Sequence, residues 1–150
     1  YLICHGYLLN AEFRLARHQQ GDLQCALDDI ERVLSIAGGQ GYPFARAKGR
    51  CLRAKIFCRL DREEEALIEM EKGVSVAEEK IVEGGELIFF EYARLLAANG
   101  LEERAFEYVD LAYKQVQSVH DRLKNARNKS NYSKMREYQR IVELRSALMK

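Results

Sequence analysis

The chain of 150 residues has no tryptophan and a single proline, Pro43. With one proline, almost any stretch is free to be helical. Sustained alternation of β-branched with polar residues is also missing, so strands are not expected. Four cysteines stand at positions 4, 25, 51 and 58, and none belongs to a CxxC pair. Cys51 and Cys58, seven apart on one helix, would lie roughly 10 Å apart along its axis, beyond disulfide reach. Free thiols in a reducing compartment, the cytoplasm, are the expectation. No apolar run is long enough to span a bilayer, and the apolar start from Tyr1 to Leu9 is interrupted by His5 and Gly6. The three histidines, His5, His18 and His120, are far apart. Cys4 and His5 alone fall short of a zinc site's four ligands. Gly38-Gly-Gln-Gly41 lacks the lysine and the preceding strand of a phosphate-binding loop. Neither a metal, nor a cofactor, nor catalysis is expected. Because the chain opens on Tyr1 rather than Met, we expect a piece of a larger protein.

What the chain does contain is helix-forming composition. Ala, Leu, Glu, Arg and Lys dominate, apolar residues make up 47% and charged residues 31%. The net charge is only +1, but it is arranged in blocks. Arg46, Lys48, Arg50, Arg53, Lys55 and Arg59 occur without an acid between Phe44 and Leu60. An acidic block, rich in Glu, runs from Asp61 to Glu86, and a basic one from Lys114 to Lys150. Such blocks suit either neighbouring helices that complement one another or a polarised surface.

The same short pattern occurs three times: Gly21-Asp-Leu-Gln-Cys-Ala26, Asp61-Arg-Glu-Glu-Glu-Ala66 and Gly100-Leu-Glu-Glu-Arg-Ala105. A near-constant period of about 40 residues marks a repeat architecture. Counting from each alanine, offsets of 4, 8 and 11 are mostly apolar: Ile30, Leu34 and Ala37; Met70, Val74 and Ala77; Val109, Tyr113 and Val116. These offsets share one helical face, so each motif opens the second helix of a pair. Twelve residues before each alanine stand Arg14, Ala54 and Ala93, the last two small enough for close helix approach. Helices are expected near 2–19, 22–37, 43–59, 62–82, 86–98 and 102–127. The sixth carries Ala105, Val109, Ala112, Val116, Val119, Leu123 and Ala126 at 4-3 spacing, a narrow seam of coiled-coil type. A polar turn over 128–133 and a last helix with Met135, Tyr138, Ile141, Val142, Leu144 and Leu148 complete the chain.

Gly-x4-Ala between amphipathic helices, with a small residue twelve positions earlier, resembles the tetratricopeptide repeat. Gly21 to Ala26 and Gly100 to Ala105 look like its turn, and Ala54 and Ala93 occupy its small packing position. The usual unit is ~34 residues; the longer spacing here is similar to repeats in bacterial regulators and large signalling ATPases. The resemblance implies an all-α, right-handed superhelix of three helix pairs (about 2–40, 41–82 and 84–118) with a C-terminal extension over 119–150, all in a single domain. It also implies that first helices line a concave groove. Lys48, Cys51, Lys55, Cys58 and Arg59 would then face the groove from the second repeat, Phe90 and Arg94 from the third, and Leu8, Ala11, Leu15 and His18 from the first. Lys48, Lys55 and Arg59 could form a basic stripe beside Phe90 and receive an acidic peptide. The competing reading is that these bases neutralise the acidic helix 62–82.

The functional expectation is therefore a non-catalytic protein-interaction domain of a bacterial regulatory or signalling protein, binding a peptide or neighbouring domain through Lys48, Cys51, Lys55, Arg59, Phe90 and Arg94. The alternative is a self-associating or effector-sensing module that pairs through Val119, Leu123, Tyr138 and Ile141 as a homodimer. Nucleic acid is disfavoured as a partner. The basic C-terminal block could release counterions, but only Tyr132 and Tyr138 interleave it with aromatics.

Overall fold

The computed structural model describes residues 2–17, 19, 21–80 and 84–149. Among these, eight α-helices occur in sequential antiparallel pairs: α1 (Leu2–Arg17), α2 (Asp22–Gln40), α3 (Pro43–Arg59), α4 (Glu63–Glu79), α5 (Gly85–Ala98), α6 (Glu102–Arg122), α7 (Ala126–Ser133) and α8 (Arg136–Leu148). The chain divides into two compact units, Tyr1–Glu83 and Gly84–Lys150.

The repeated motif works the same way each time. Its first residue is left-handed: Gly21 at φ 83°, Asp61 at φ 55° and Gly100 at φ 74°. In the second and third copies the same turn follows. Arg62 N–H donates to Phe57 O at 3.0 Å, and Leu101 N–H donates to Leu96 O at 3.0 Å, the six-to-one bond of a Schellman motif. Only a residue tolerant of positive φ can close that turn, which is why glycine, or a short polar side chain, recurs there. The closing alanine is then driven into the pair: Ala26, Ala66 and Ala105 are all fully buried. Glu63, Glu64 and Glu65, and later Glu102 and Glu103, sit in the first turns of α4 and α6, where the helix dipole favours them.

In the N-terminal unit, α1 packs on α2, α2 on α3 and α3 on α4, and α1 also touches α3. The α3–α4 contact is the most intimate. Gly73 lies so close that an added Cβ would stand 3.1 Å from the Ala47 carbonyl, and Ala54, twelve before Ala66, is fully buried. Arg14 holds the equivalent place in the first repeat. It is accommodated by an ion pair, its Nε 3.3 Å from the buried Asp29. In the C-terminal unit, α5 packs on α6, and α8 lies on α6 and touches α5. Pro43 opens α3 as expected. The glycine run stops α2 only at Gly41, which is left-handed at φ 69°; Gly38 is still helical.

The end of the chain differs from expectation. Apolar spacing through Ala126 suggested one long sixth helix, yet α6 stops at Arg122 and Leu123 turns extended with ψ 121°. The Asn125 side chain then accepts from Arg127 N–H at 2.8 Å and caps a new helix, α7. The presumed polar turn over 128–133 is thus helical. Expected helical positions 18, 81 and 82 lie outside the described residues.

Candidate protein-binding surfaces

In the N-terminal unit several basic residues of α3 are engaged by neighbouring helices. Lys48 Nζ lies 2.7 Å from Glu12 Oε1 on α1. Arg59 Nη1 donates to the Leu15 carbonyl at 2.6 Å. Lys55 is half-buried and not free, and Cys51, 3% exposed, is part of the core. Cys58 is half-buried; Leu8, Ala11 and Leu15 are buried, and His18 lies outside the described residues. Helix α3 also enters a charge cluster that sequence reading missed. Glu69 of α4, 3% exposed, takes Arg50 at 2.7 Å, Arg53 at 3.0 Å and Lys72 at 3.0 Å. Burial pushes the Glu69 carboxyl up, but hydrogen bonds from Arg50 and Lys72 and the charges of Arg50 and Arg53 outweigh it and hold its pKa below the usual value. Basic α3 therefore complements acidic α4 through Arg50 and Arg53, while Lys48 serves α1.

In the C-terminal unit, Phe90 is 3% exposed. Its ring centroid is 6.0 Å from the Arg94 guanidinium and 5.0 Å from that of Arg140, and Arg94 pairs with Glu91 at 3.1 Å. Both Phe90 and Cys51 thus act as packing residues rather than open contacts. Of the self-association candidates, Val119 is exposed, Leu123 and Tyr138 are half-buried, and the Tyr138 hydroxyl donates to Gln117 Oε1 at 3.2 Å. Ile141 is fully buried. Helix α8 packs on α6, and Ile141 is buried within this unit.

The most open apolar surface was not anticipated. On α1, Leu2 is 83% exposed, Ile3 66%, Leu9 52% and Phe13 62%. Leu2, Gly6, Leu9, Phe13 and Ala16 follow 4-3-4-3 spacing, so they share one face, opposite in role to the buried Cys4, Leu8, Ala11 and Leu15. That spacing was readable in the sequence. It was overlooked because α1 carries apolar residues on two faces, and only one was assigned to the core. The repeat shows what such a face receives elsewhere. Forty residues after Leu9 comes Gly49, where an added Cβ would stand 3.2 Å from Leu34 and 3.4 Å from Val33 of α2. The position that is open on α1 is, on α3, a seat for a second helix. Beside the N-terminal end of α1, Ile3, Tyr7, Arg32 and Ile36 border an open cleft of about 430 Å³.

Comparison with protein-family models, curated proteins and solved structures finds no match for this chain. The residues themselves must carry the reading. Among the described residues, no group of three or more His, Cys, Asp or Glu side chains could hold a metal ion, and no helix is long and apolar enough to cross a membrane. Burial, with the charge of Glu63, pushes the Cys58 thiol up, the opposite of an activated nucleophile. A second cleft, of about 370 Å³, is bordered by Arg14, Asp22 and Arg59. Its charged groups already answer one another: Arg17 pairs with Asp22 at 2.5 Å, and Arg14 with Asp29.

Proposed function

We propose that this chain is a non-catalytic protein-interaction module of tetratricopeptide type, and that it binds an amphipathic helix on the outer face of α1. One observation carries the reading: Leu2, Leu9 and Phe13 form an apolar stripe that lies open to water, and Leu9, at its middle, holds the repeat position of Gly49, where α3 receives α2. A contiguous exposed apolar face on a folded unit marks an interaction site. The right-handed superhelical sense, the cytoplasmic setting and the place in a bacterial regulatory or signalling protein come from the resemblance and belong to the same proposal. An acidic peptide on the Lys48, Lys55 and Arg59 stripe is the weaker version, since Lys48 is paired with Glu12 and Arg59 with a backbone carbonyl.

The test uses Leu9→Glu and Phe13→Glu. Both side chains are exposed, so thermal melting should stay within a degree or two of the parent. A protein partner retained by the parent chain should be lost by both variants. Retention of that partner by both, with the fold intact, sinks the α1 site. Self-association has the same stripe in its favour, because 4-3 spacing also suits pairing with an identical helix. Light scattering separates the two: a dimer that Leu9→Glu dissolves supports the second reading, and a monomeric parent the first.

A further inference from the structure

Along α6, one position round from the buried seam of Ala105, Val109, Ala112 and Val116, runs another 4-3-4-3 line: Phe106, Asp110, Tyr113, Gln117 and His120. All five are half-buried. This line mixes aromatic and polar groups, and α8 lies along it in antiparallel sense. Arg145, near the end of α8, meets the early part. Its Nε donates to Asp110 Oδ1 at 2.7 Å, and its guanidinium lies 4.5 Å from the Tyr113 ring centroid and 5.8 Å from that of Phe106. Tyr138, near the start of α8, meets the late part, at Gln117 and His120. Arg140 reaches over to Phe90 of α5.

The attachment mixes apolar and polar contacts: Tyr138, Val142, Leu144 and Leu148 are half-buried beside Ile141 and the arginines. Ile141 is the only residue that α8 fully buries, and α7, which leads into it, buries none. Electrostatic and cation–π contacts at half-exposed sites hold weakly compared with a filled apolar core. A helix tethered by a segment with no fully buried residue, Tyr132 being half-buried against Tyr138, can leave without opening the α5–α6 pair, and its seat can then be refilled.

We propose that the α5–α6 face is a binding site for a basic amphipathic helix, of which α8 is the resident, displaceable occupant. The partner is defined by the contacts α8 makes: an isoleucine-sized apolar residue preceded directly by arginine and followed four residues later by another, spaced for Phe90 and for Asp110 with Tyr113. Asp110, whose other oxygen pairs with Lys114 at 2.9 Å, supplies the complementary charge.

The experiment uses the full chain and a fluorescently labelled synthetic peptide of residues 134–149. In the parent chain the tethered α8 competes, so the peptide should bind weakly. Ile141→Asp in the chain should release α8 and raise peptide affinity by at least about tenfold, since the tether's effective concentration no longer opposes it. Peptide carrying Arg145→Ala should lose about tenfold on that same chain. Should Ile141→Asp fail to fold, the double variant Arg140→Ala, Arg145→Ala replaces it, because both side chains are half-exposed. A folded chain of either kind that ignores the peptide overturns the proposal. Loss of fold in both overturns it too, since α8 would then be integral to the unit. A parent dimer in light scattering that these variants dissolve would make a second copy the occupant and also overturn it.

Discussion

Helices α3 and α8 hold comparable places within their own units, each lying on the second helix of a pair and touching the first. They are attached in opposite ways. Helix α3 buries Ala45, Ala47, Gly49, Cys51, Leu52, Ala54, Ile56 and Phe57, with α4 closing over it. Helix α8 fully buries Ile141 alone, half-buries Val142, Leu144 and Leu148, and adds contacts from Arg140, Arg145 and Tyr138. One attachment is a matter of volume, with small side chains letting backbones approach until little space remains. The other is a matter of placed charges and rings. The first should be insensitive to salt and intolerant of any change in size. The second should loosen with salt and tolerate truncation without unfolding the rest.

The largest effect that sharpens this contrast is core truncation. Ile56→Ala should cost about 2–5 kcal/mol in the N-terminal unit, as expected for removing a fully buried branched side chain. Denaturant titration would measure it. A loss below about 1 kcal/mol, within the range of a surface change, would break the comparison from the α3 side. The matching change, Ile141→Ala, should chiefly release α8. Hydrogen exchange would then show lost protection over 136–148 while α5 and α6 keep theirs.

Next comes Glu69→Gln. It leaves Arg50 and Arg53 without their carboxylate, but these guanidinium groups are 30% and 25% exposed and water can reach them. We expect a cost of about 1–3 kcal/mol, below that of a fully buried broken pair. The same residue sets an acid limit. The Glu69 pKa is lowered by folding, so its contribution is complete above the unfolded value of about 4.3 and fades as pH falls through the folded one. Asp22, held down to about 2 first by its hydrogen bond with Arg17 and then by Gln19 N–H, extends that loss to lower pH. The N-terminal unit should therefore weaken below about pH 4, and Glu69→Gln should flatten the upper part of that decline.

The smallest effect is at the repeated turn. Asp61 sits at φ 55° where the other two copies have glycine. Asp61→Gly should stabilise by about 0.5–1 kcal/mol, through relief of left-handed strain partly offset by a more flexible unfolded chain. Destabilisation instead would mean that the Asp61 side chain holds the turn.

The legible parts of this chain share a physical character: each depends on a few neighbouring residues. A left-handed residue, a dipole-compatible first turn and an alanine at the crossing repeat because backbone sterics are the same each time, so the helix pairs followed from spacing. Asn125 was equally legible as a cap and went unread, because apolar periodicity continues past the point where a helix stops and says nothing of termination. The candidate surfaces were harder. Lys48 and Glu12, or Asp110 and Arg145, are 36 and 35 residues apart in sequence, and nothing local announces that they meet.

By itself the sequence determined an all-helical chain, its sequential pairs and the turns that join them, since these rest on interactions within a few residues. Only the tertiary structure decided which charges are spent, that Cys51, Phe90 and Ile141 are packing residues, that the face of α1 stays open, and that α8 is held by arginine and aromatic contacts. Those outcomes depend on which surfaces come together across long sequence separations, where burial and pairing compete and no local rule chooses between them.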